Sequence, residues 1–498
     1  MEKLATGPLK AKSASLAVVL AFAVGVSIDR LAIGQRIGLG FATALLVFVA
    51  GTWKMSARSR PETVVLLVAA ATLVSWSLFR TAGYLIAIDA IAAAALVVFA
   101  VTAWAFDPRV WLVPAAGHLK SAVDQLAALV VGAALPVGVL ARSRSRIQLG
   151  RALPYARGAL FAVPVFGVFA VLLASADVAF SGFMTGLVPD LNISLSSALG
   201  HLVLIALLAW LTAGYFAFAW TPQHKVSIEG PQRPRVDRFV EVMVVLSSVA
   251  ALFALFVAFQ FAYLFRDSHE VIAGTTTYSE YARQGFFQLL AVSVLTGVLV
   301  WVSMLWLRPL TGRRRALFRA VCSAMILLTG VILASALKRL GLYEEAYGYT
   351  RLRVLSHAFT YLVGGLLVVL LAQVYVQRDG LMPMAAIALG FVVLFGLNLI
   401  NPDAWIAAKN IEIARDRDRS TAIAYTRQLS EDAVPTVLER GRSLPPGDRR
   451  SLIAWACSVV GGARDLREWN LGGVRAASAV ADTGAARFVP SCSGSSNR

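Results

Sequence analysis

Polar side chains that could bind a ligand or transfer a proton gather in four short segments, each next to a long apolar run. The segments are "ASADVAF", "GTTTYSEYARQGFFQLL", "ALKRLGLYEEAYGYTRLR" and "NPDAWIAAKNIEIAR". Their candidate residues are Asp177, Tyr278, Glu280, Arg283, Arg339, Tyr343, Glu344, Asn401, Asp403 and Asn410. Carboxylates near arginines could bind a polar headgroup, a sugar or an ion, and a carboxylate could also act as a general acid or base.

The same residues have a structural explanation. Carboxylates beside arginines form ion pairs between helices, and tyrosine is common in the belt where a membrane meets water. Arg351 and Arg353 can extend their charged ends toward water while their stems lie on apolar surface. The sequence alone leaves a ligand pocket and a structural girdle as equal alternatives.

One ionisable residue stands inside an apolar run, Asp89 in "GYLIAIDAIAAAAL". A carboxyl there could be a proton-relay or cation site, or it could make a hydrogen bond between helices. The hydrogen bond is favoured because no partner for Asp89 is evident in the sequence.

Known catalytic and metal-binding patterns do not occur in the sequence. It has no GxxxxGK[ST], HExxH, CxxC or GxSxG. The five histidines, His118, His201, His224, His269 and His357, are not spaced as metal ligands. We therefore predict no catalytic set, no metal and no cofactor.

Composition indicates the setting of these residues. The 498 residues are 58% hydrophobic and 15% charged, with a mean hydropathy of +0.71. Soluble proteins are about 45–50% apolar and about 25% charged. A helix that crosses a bilayer needs roughly 20 mostly apolar residues, and such runs recur from Ser13 to Ile400. The predicted fold is an all-α polytopic helical membrane protein with about 11 transmembrane helices and a short helical tail.

Eleven candidate spans are predicted along the chain. They are Ser13–Ile28, Ile37–Trp53, Glu62–Phe79, Ala82–Phe106, Gly158–Ser175, Ser196–Trp220, Phe239–Phe265, Gly285–Leu307, Leu317–Leu337, Val354–Val376 and Leu381–Ile400. Ser121–Ala141 contains Asp124 and Pro136, and we interpret it as an interfacial or re-entrant helix on the inner face.

The net charge of +18 lies mainly in short loops, at 142–157, 221–238 and 308–319. These loops are separated by even numbers of spans, so they share one side, which the positive-inside rule makes the cytoplasm. The N-terminus is then cytoplasmic and the tail from Asn401 extracytoplasmic. This scattered charge does not favour nucleic acid, which needs one continuous basic face.

Four segments are expected. They are 1–156, a variable membrane region; 157–400, a membrane domain; 401–480, a small helical tail; and 481–498, a disordered end. In the tail, Asn401 can cap a helix that begins at Pro402, and Ser430 looks like a second helix start. Cys457 and Cys492 could pair if the tail lies in an oxidising compartment, but two cysteines are a weak signal and unpaired thiols are the default expectation.

Five blocks occur in order: "TTTYSEYARQGFFQLLAVSVLT", "SALKRLGLYEEAYGYTRLR", "NPDAWIAAKNIEIAR", "LSEDAVPTVL" and "REWNLGGVRAA". They resemble a bacterial multi-pass membrane family known only as a domain of unknown function, of the DUF4173 type or the closely related DUF4153 type. The resemblance covers about Arg157 to Ala477, and "GGVR" departs slightly from the family's usual basic ending. It implies no established activity, substrate or catalytic residue.

Three classes of function remain open. We favour a non-catalytic envelope or signalling component of the bacterial plasma membrane, with a polar cluster on its outer face. The alternatives are a transporter of a small polar or ionic solute and a membrane enzyme acting on a lipid-linked envelope substrate. The expected partners are the lipid bilayer and either an envelope protein or a lipid-linked ligand, and the oligomeric state stays open.

Overall fold

The computed structural model describes residues 11–31, 38–53, 61–105, 124–125, 195–220, 239–264, 278–307, 310–376, 381–417, 420–460 and 466–483. These residues form helices joined by turns, and no strand occurs among them. The chain divides into two compact units, one formed by 1–228 and 463–472 and the other by 229–462 and 473–498. The four predicted segments stay predictions, because this division groups residues by packing alone.

In the first unit the described helices are α1 (Ala11–Leu31), α2 (Leu39–Trp53), α3 (Pro61–Ser75), α4 (Gly83–Ala105) and α5 (Leu195–Trp220). α1 packs along α5. A methyl group on Gly25 would lie 2.7 Å from the carbonyl oxygen of Ile205, so the two backbones approach closely. Small residues permit this kind of packing between membrane helices.

The second unit contains ten helices among its described residues. They are α6 (Phe239–Leu264), α7 (Tyr278–Trp306), α8 (Gly312–Tyr347), α9 (Arg351–Val376), α10 (Leu381–Ile400), α11 (Pro402–Arg417), α12 (Ser420–Thr426), α13 (Val434–Arg440), α14 (Pro446–Val460) and α15 (Leu471–Asp482). α8 is central, because it packs against α6, α7 and α9. These helices share an apolar core that includes Met325 and Leu370.

Eight of the described helices are long and apolar enough to cross a membrane, and Leu39–Thr52 and Leu204–Phe216 are shorter apolar helices. The predicted all-α polytopic fold is confirmed. The candidate span Gly158–Ser175 lies outside the described residues, as do nearly all of Ser121–Ala141 and the loops at 142–157 and 221–238.

The longest helix continues beyond the predicted span. α8 has 36 residues, whereas the span predicted from the sequence is Leu317–Leu337. At 1.5 Å per residue it is about 54 Å long, compared with a hydrocarbon core of about 30 Å. Its last turns therefore carry polar side chains beyond the apolar stretch.

A second apolar core lies among the helices after Asn401. It includes Ile406, Val437, Leu452 and Ala476. We call α11 to α14 and the 473–482 part of α15 the tail domain; among the described residues, none of its helices reaches the length and hydropathy of a span. The predicted helical tail is confirmed, and it is a packed bundle with its own core.

The cysteines have different states. Cys322 is a free, buried thiol on α8. Cys457, on α14, is disulfide-bonded. Cys492 lies outside the described residues.

Candidate functional site

Two of the four predicted polar segments meet at one end of the second unit. α8 carries Tyr343 and Glu344 near its end at Tyr347, the turn 348–350 reverses the chain, and α9 begins at Arg351. The junction between α10 and α11 packs against this turn, as the contacts below show. We call Tyr349, Arg351, Asn401, Asp403 and Asn410 the polar junction.

The carboxylate of Asp403 is the centre of the polar junction. Arg351 donates to it from Nε at 2.9 Å and from Nη2 at 2.6 Å. The backbone N–H of Ser430 donates to its Oδ2 at 2.8 Å. The side chain of Asp403 is 0% exposed and that of Arg351 is 28% exposed. This two-point pairing satisfies a buried carboxylate and fixes its orientation, as is typical of arginine.

Asn410 fastens the turn to α11 through the backbone. Its Oδ1 accepts from the N–H of Tyr349 at 2.6 Å, and its Nδ2 donates to the carbonyl of the same residue at 2.9 Å. The ring of Tyr349 packs edge-on against Trp405 at 4.8 Å between centroids. The N–H of Arg351 donates to the hydroxyl of Tyr425 at 2.9 Å. Side chains from α11 and α12 therefore satisfy backbone groups that the turn leaves without helical partners.

Burial raises the pKa of the Tyr349 phenol, and the charges of Glu344, Glu345 and Glu412 raise it further. The phenol is therefore neutral at physiological pH and adds no charge to the junction.

Asn401 turns the chain between α10 and α11. Its φ is 56°, in the left-handed region where asparagine is enriched among non-glycine residues. Its Oδ1 accepts from the N–H of Ala404 at 3.3 Å, and its Nδ2 donates to the carbonyl of Asp432 at 3.3 Å. The predicted cap at Asn401 and helix start at Pro402 are confirmed, as is the helix start after Ser430, where a 3-10 turn precedes α13.

A second carboxylate of this end, Glu344, is paired differently. Its Oε2 lies 2.8 Å from Nε2 of His357, and its side chain is 3% exposed. Its Oε1 and the Nδ1 of His357 are both buried and have no hydrogen-bond partner among the described residues. The ring of Tyr361 stacks on the imidazole at 6.0 Å. This pair is incompletely satisfied, which is unusual for buried polar atoms.

The remaining predicted residues are placed as follows. Arg339 lies on α8 and is half-buried, with an interaction partner. Tyr343 carries the guanidinium of Arg353 over its ring at 4.1 Å, and Arg353 also donates to the carbonyl of Gly348. Asp89 is buried on α4 in the first unit and is also engaged in an interaction.

Four predicted residues lie where the structure describes no side chain. Tyr278, Glu280 and Arg283 lie in the first turns of α7, where only the backbone is described, and Asp177 lies outside the described residues.

The sequence alone did not indicate a site role for Arg351, Ser430, Tyr349, Tyr425 or His357. Arg351 was expected to extend toward water, whereas it is paired with Asp403. The donors come from positions 27 and 52 residues from Asp403 along the chain. No local spacing signals such contacts. The polar character of "YTRLRVLSH" was the only available indication.

The chemistry of the polar junction follows from its geometry. Both oxygens of Asp403 accept hydrogen bonds and are closed to solvent, so this carboxylate is not free to take a proton from a substrate. Among the described residues, no group of three or more histidine, cysteine, aspartate and glutamate side chains could hold a metal ion. The arrangement joins helices, and among the described residues the pair of Glu344 and His357 retains buried polar atoms without a hydrogen-bond partner.

Comparisons with known proteins add one finding. The family model described as "Domain of unknown function (DUF4153)" matches residues 63–439. The match begins in α3, ahead of Arg157, and ends in α13, so it includes the whole polar junction. No curated protein and no solved structure matches the chain.

Proposed function

Because the chain belongs to the family defined by the domain of unknown function DUF4153, which implies no activity, we propose a role from its geometry. The protein is a non-catalytic component of the bacterial cell envelope. It transmits structural change between the helices α6 to α10, which we call the membrane bundle, and the tail domain. The polar junction is the mechanical link between them.

One observation carries this proposal, the complete satisfaction of Asp403. Its carboxylate accepts from Arg351 at the start of a membrane helix and from Ser430 in the tail domain. A buried carboxylate held by three hydrogen bonds resists displacement, because each lost bond would leave a buried charge or donor without a partner. Such a link suits a structural or signalling protein better than an enzyme, whose acid or base must reach its substrate.

The proposal places the tail domain on the extracytoplasmic side of the plasma membrane. α8 begins with Arg313, Arg314 and Arg315, at the end opposite to the polar junction. The positive-inside rule assigns such an end to the cytoplasm. The disulfide at Cys457 supports the same orientation, because disulfides persist in oxidising compartments.

A charge-removal cycle tests the proposal. Asp403→Asn leaves the Arg351 cation without its partner, and we expect a loss of about 2–4 kcal/mol in the free energy of unfolding. Arg351→Gln leaves the carboxylate unpaired and should cost a similar amount. The double variant pairs two neutral amides, so its loss should be smaller than the sum of the single losses. Unfolding of the full chain in detergent gives these values.

The same variants are then tested for complementation of a deletion strain. If the role is structural, function follows folding, and the double variant recovers more function than either single variant. A double variant that folds like the wild type and yet has no function would contradict the proposal and favour an acid–base role for Asp403. The matched control is Asp416→Asn, which breaks the exposed pair of Asp416 with Arg415 and should change neither stability nor function measurably.

A further inference from the structure

Both histidines whose side chains are described pair with a buried carboxylate of another helix. Glu344 of α8 meets His357 of α9 at 2.8 Å in the second unit. In the first unit, Asp29 of α1 meets Nδ1 of His201 of α5 at 2.7 Å, and the side chain of Asp29 is 0% exposed. Neither histidine is spaced as a metal ligand in the sequence, so the sequence does not indicate metal binding by either of them.

Each pair leaves part of the carboxylate without a hydrogen bond. Oε1 of Glu344 and Oδ2 of Asp29 are buried and have no hydrogen-bond partner among the described residues. Arg30 approaches Oδ2 of Asp29 only to 3.4 Å, an ion-pair distance. Buried polar atoms are nearly always satisfied in folded proteins, and exceptions often mark sites with a chemical role.

Imidazole is the side chain whose charge ordinarily changes between about pH 5 and 8. In each pair an imidazole nitrogen lies within hydrogen-bond distance of a carboxylate oxygen. A proton taken up by a neutral imidazole in this position turns the contact into a bond between a cation and an anion. We propose that Glu344–His357 and Asp29–His201 are proton-binding pairs through which this protein senses pH. The sequence-based topology puts the ends of α1 and α8 and the start of α5 on the extracytoplasmic side, so the sensed pH is that of this side.

The other ionisable groups around Glu344 and His357 do not account for a change of charge between pH 5 and 8. Among the described residues of α8, α9, α11 and the turn they are Arg339, Tyr343, Glu345, Tyr347, Tyr349, Arg351, Arg353, Tyr361, Asp403, Lys409 and Glu412. α10 and the 286–306 part of α7 carry none. Glu241 of α6 lies at the opposite end, near the contact of Phe239 with Arg314. None of these side chains ordinarily titrates between pH 5 and 8.

The pair in the first unit has fewer ionisable neighbours. Among the described residues they are Arg30 on α1 and, in the segment 466–470, Arg467 and Glu468; Arg467 donates to the carbonyl of Arg30 at 3.0 Å. α2 carries no ionisable side chain, and the only ionisable side chain on α5 besides His201 is that of Tyr215.

A few hydrogen bonds connect the pair of Glu344 and His357 to the tail domain. The carbonyl of Glu344 accepts from the N–H of Gly348 at 2.8 Å, and the next residue is Tyr349, which Asn410 holds on both sides. A stronger contact between Glu344 and His357 stabilises the turn that carries the polar junction. This step rests on the proposed function, because it uses the junction as the link.

A double-mutant cycle at two pH values tests the proton-binding pairs themselves. The full chain in lipid nanodiscs is unfolded by heat at pH 5.5 and pH 8.0, as wild type, Glu344→Gln, His357→Gln and the double variant. Glutamine at 357 retains an amide donor but cannot take up a proton. Because a protonated imidazole adds the attraction between opposite charges to the hydrogen bond, the coupling between 344 and 357 should be larger at pH 5.5. From pH 8.0 to pH 5.5, the unfolding midpoint of the wild type should rise by about 2–4 °C relative to that of the double variant.

Equal coupling at the two pH values would overturn the proposal for this pair. If Glu344→Gln does not fold, the comparison of wild type with His357→Gln still decides, because His357→Gln should lose the pH dependence. Tyr361→Phe is the matched control, since it keeps the ring on His357 and should keep the pH dependence. His201→Gln and Asp29→Asn give the same test in the first unit, with a smaller expected shift because His201 is 41% exposed.

The result is separable from the test of the polar junction. Rescue in the double variant of Asp403 and Arg351 at neutral pH, together with pH-independent coupling at 344 and 357, would remove only the pH-sensing inference. A double variant of Asp403 and Arg351 without rescue, together with larger coupling between 344 and 357 at pH 5.5, would keep the proton-binding pairs and remove the polar junction as the link.

Discussion

Asn401 is the residue at which the membrane bundle passes into the tail domain. α10 ends at Ile400 and α11 begins at Pro402, so a single residue carries the change of direction. A left-handed backbone costs an ordinary residue about 1–2 kcal/mol, and asparagine tolerates it better because its side chain bonds locally. Here the same side chain caps α11 and reaches Asp432.

Two substitutions at Asn401 separate the backbone effect from the side-chain effect. Asn401→Gly removes the cap and the contact with Asp432 but accepts the positive φ, so we expect a loss of about 1 kcal/mol in the free energy of unfolding. Asn401→Ala removes the same contacts and adds backbone strain, so the loss should be about 2–3 kcal/mol. Chemical unfolding measures both, and equal losses would show that the backbone is not strained at this position.

At the scale of elements, a short segment of the "REWNLGG" block is built into the first unit. The carbonyl of Trp469 accepts from the N–H of Leu39 at 2.8 Å, at the start of α2. A methyl group on Gly38 would lie 2.6 Å from the carbonyl carbon of Glu468 and 2.7 Å from the carbonyl oxygen of Trp469. These are backbone atoms, which cannot rotate away as a side chain can. Glycine at position 38 therefore permits the close packing of this segment on the start of α2.

Gly38→Ala should displace the segment 466–470 from α2. The peptide bond after Arg467 then becomes accessible, and we expect trypsin to cleave it about tenfold faster, as for a contact that opens more often. Mass spectrometry of the native protein during digestion follows this bond specifically. Gly330→Ala is the control, because an added methyl group there meets no atom within 4 Å. Unchanged cleavage in Gly38→Ala would mean that the segment does not depend on this close approach.

At the scale of the whole molecule, orientation depends on the two ends of α8. One end carries Arg313, Arg314, Arg315 and Arg319, and the other carries the polar junction and the tail domain. α8 is long and apolar enough to cross a membrane, and the proposed topology therefore places its two ends in different compartments. The arginine-rich end is then expected in the cytoplasm.

Cysteine labelling tests this orientation. Thr311 and Ser443 are both exposed, at the start of α8 and in the tail domain. In intact cells, a membrane-impermeant maleimide should label Ser443→Cys and not Thr311→Cys. The wild-type chain measures the background, which should be low because Cys322 is buried and Cys457 is disulfide-bonded. Labelling of Thr311→Cys alone would reverse the proposed orientation.

Hydropathy by itself determined the class of this protein and the approximate position of its described membrane helices. Leu381–Ile400 coincides with α10, and Ala82–Phe106 differs from α4 by one residue at each end. This succeeds because a helix in lipid must satisfy its own backbone, so an apolar run of sufficient length has one solution. The helix starts after Asn401 and Ser430 are also predictable, because they depend on neighbouring residues only. The prediction for α8 was too short because polar residues continue the helix beyond the apolar run.

Only the tertiary structure decided which polar residues meet. Asp403 finds Arg351 at a separation of 52 residues, and His201 finds Asp29 at a separation of 172. Periodicity describes one element at a time, whereas these contacts depend on how separate helices pack, and many alternative pairings fit the same sequence. The sequence located polar side chains at the ends of the helices, and packing decided that Asp403 is fully bonded while Glu344 keeps an unpaired oxygen.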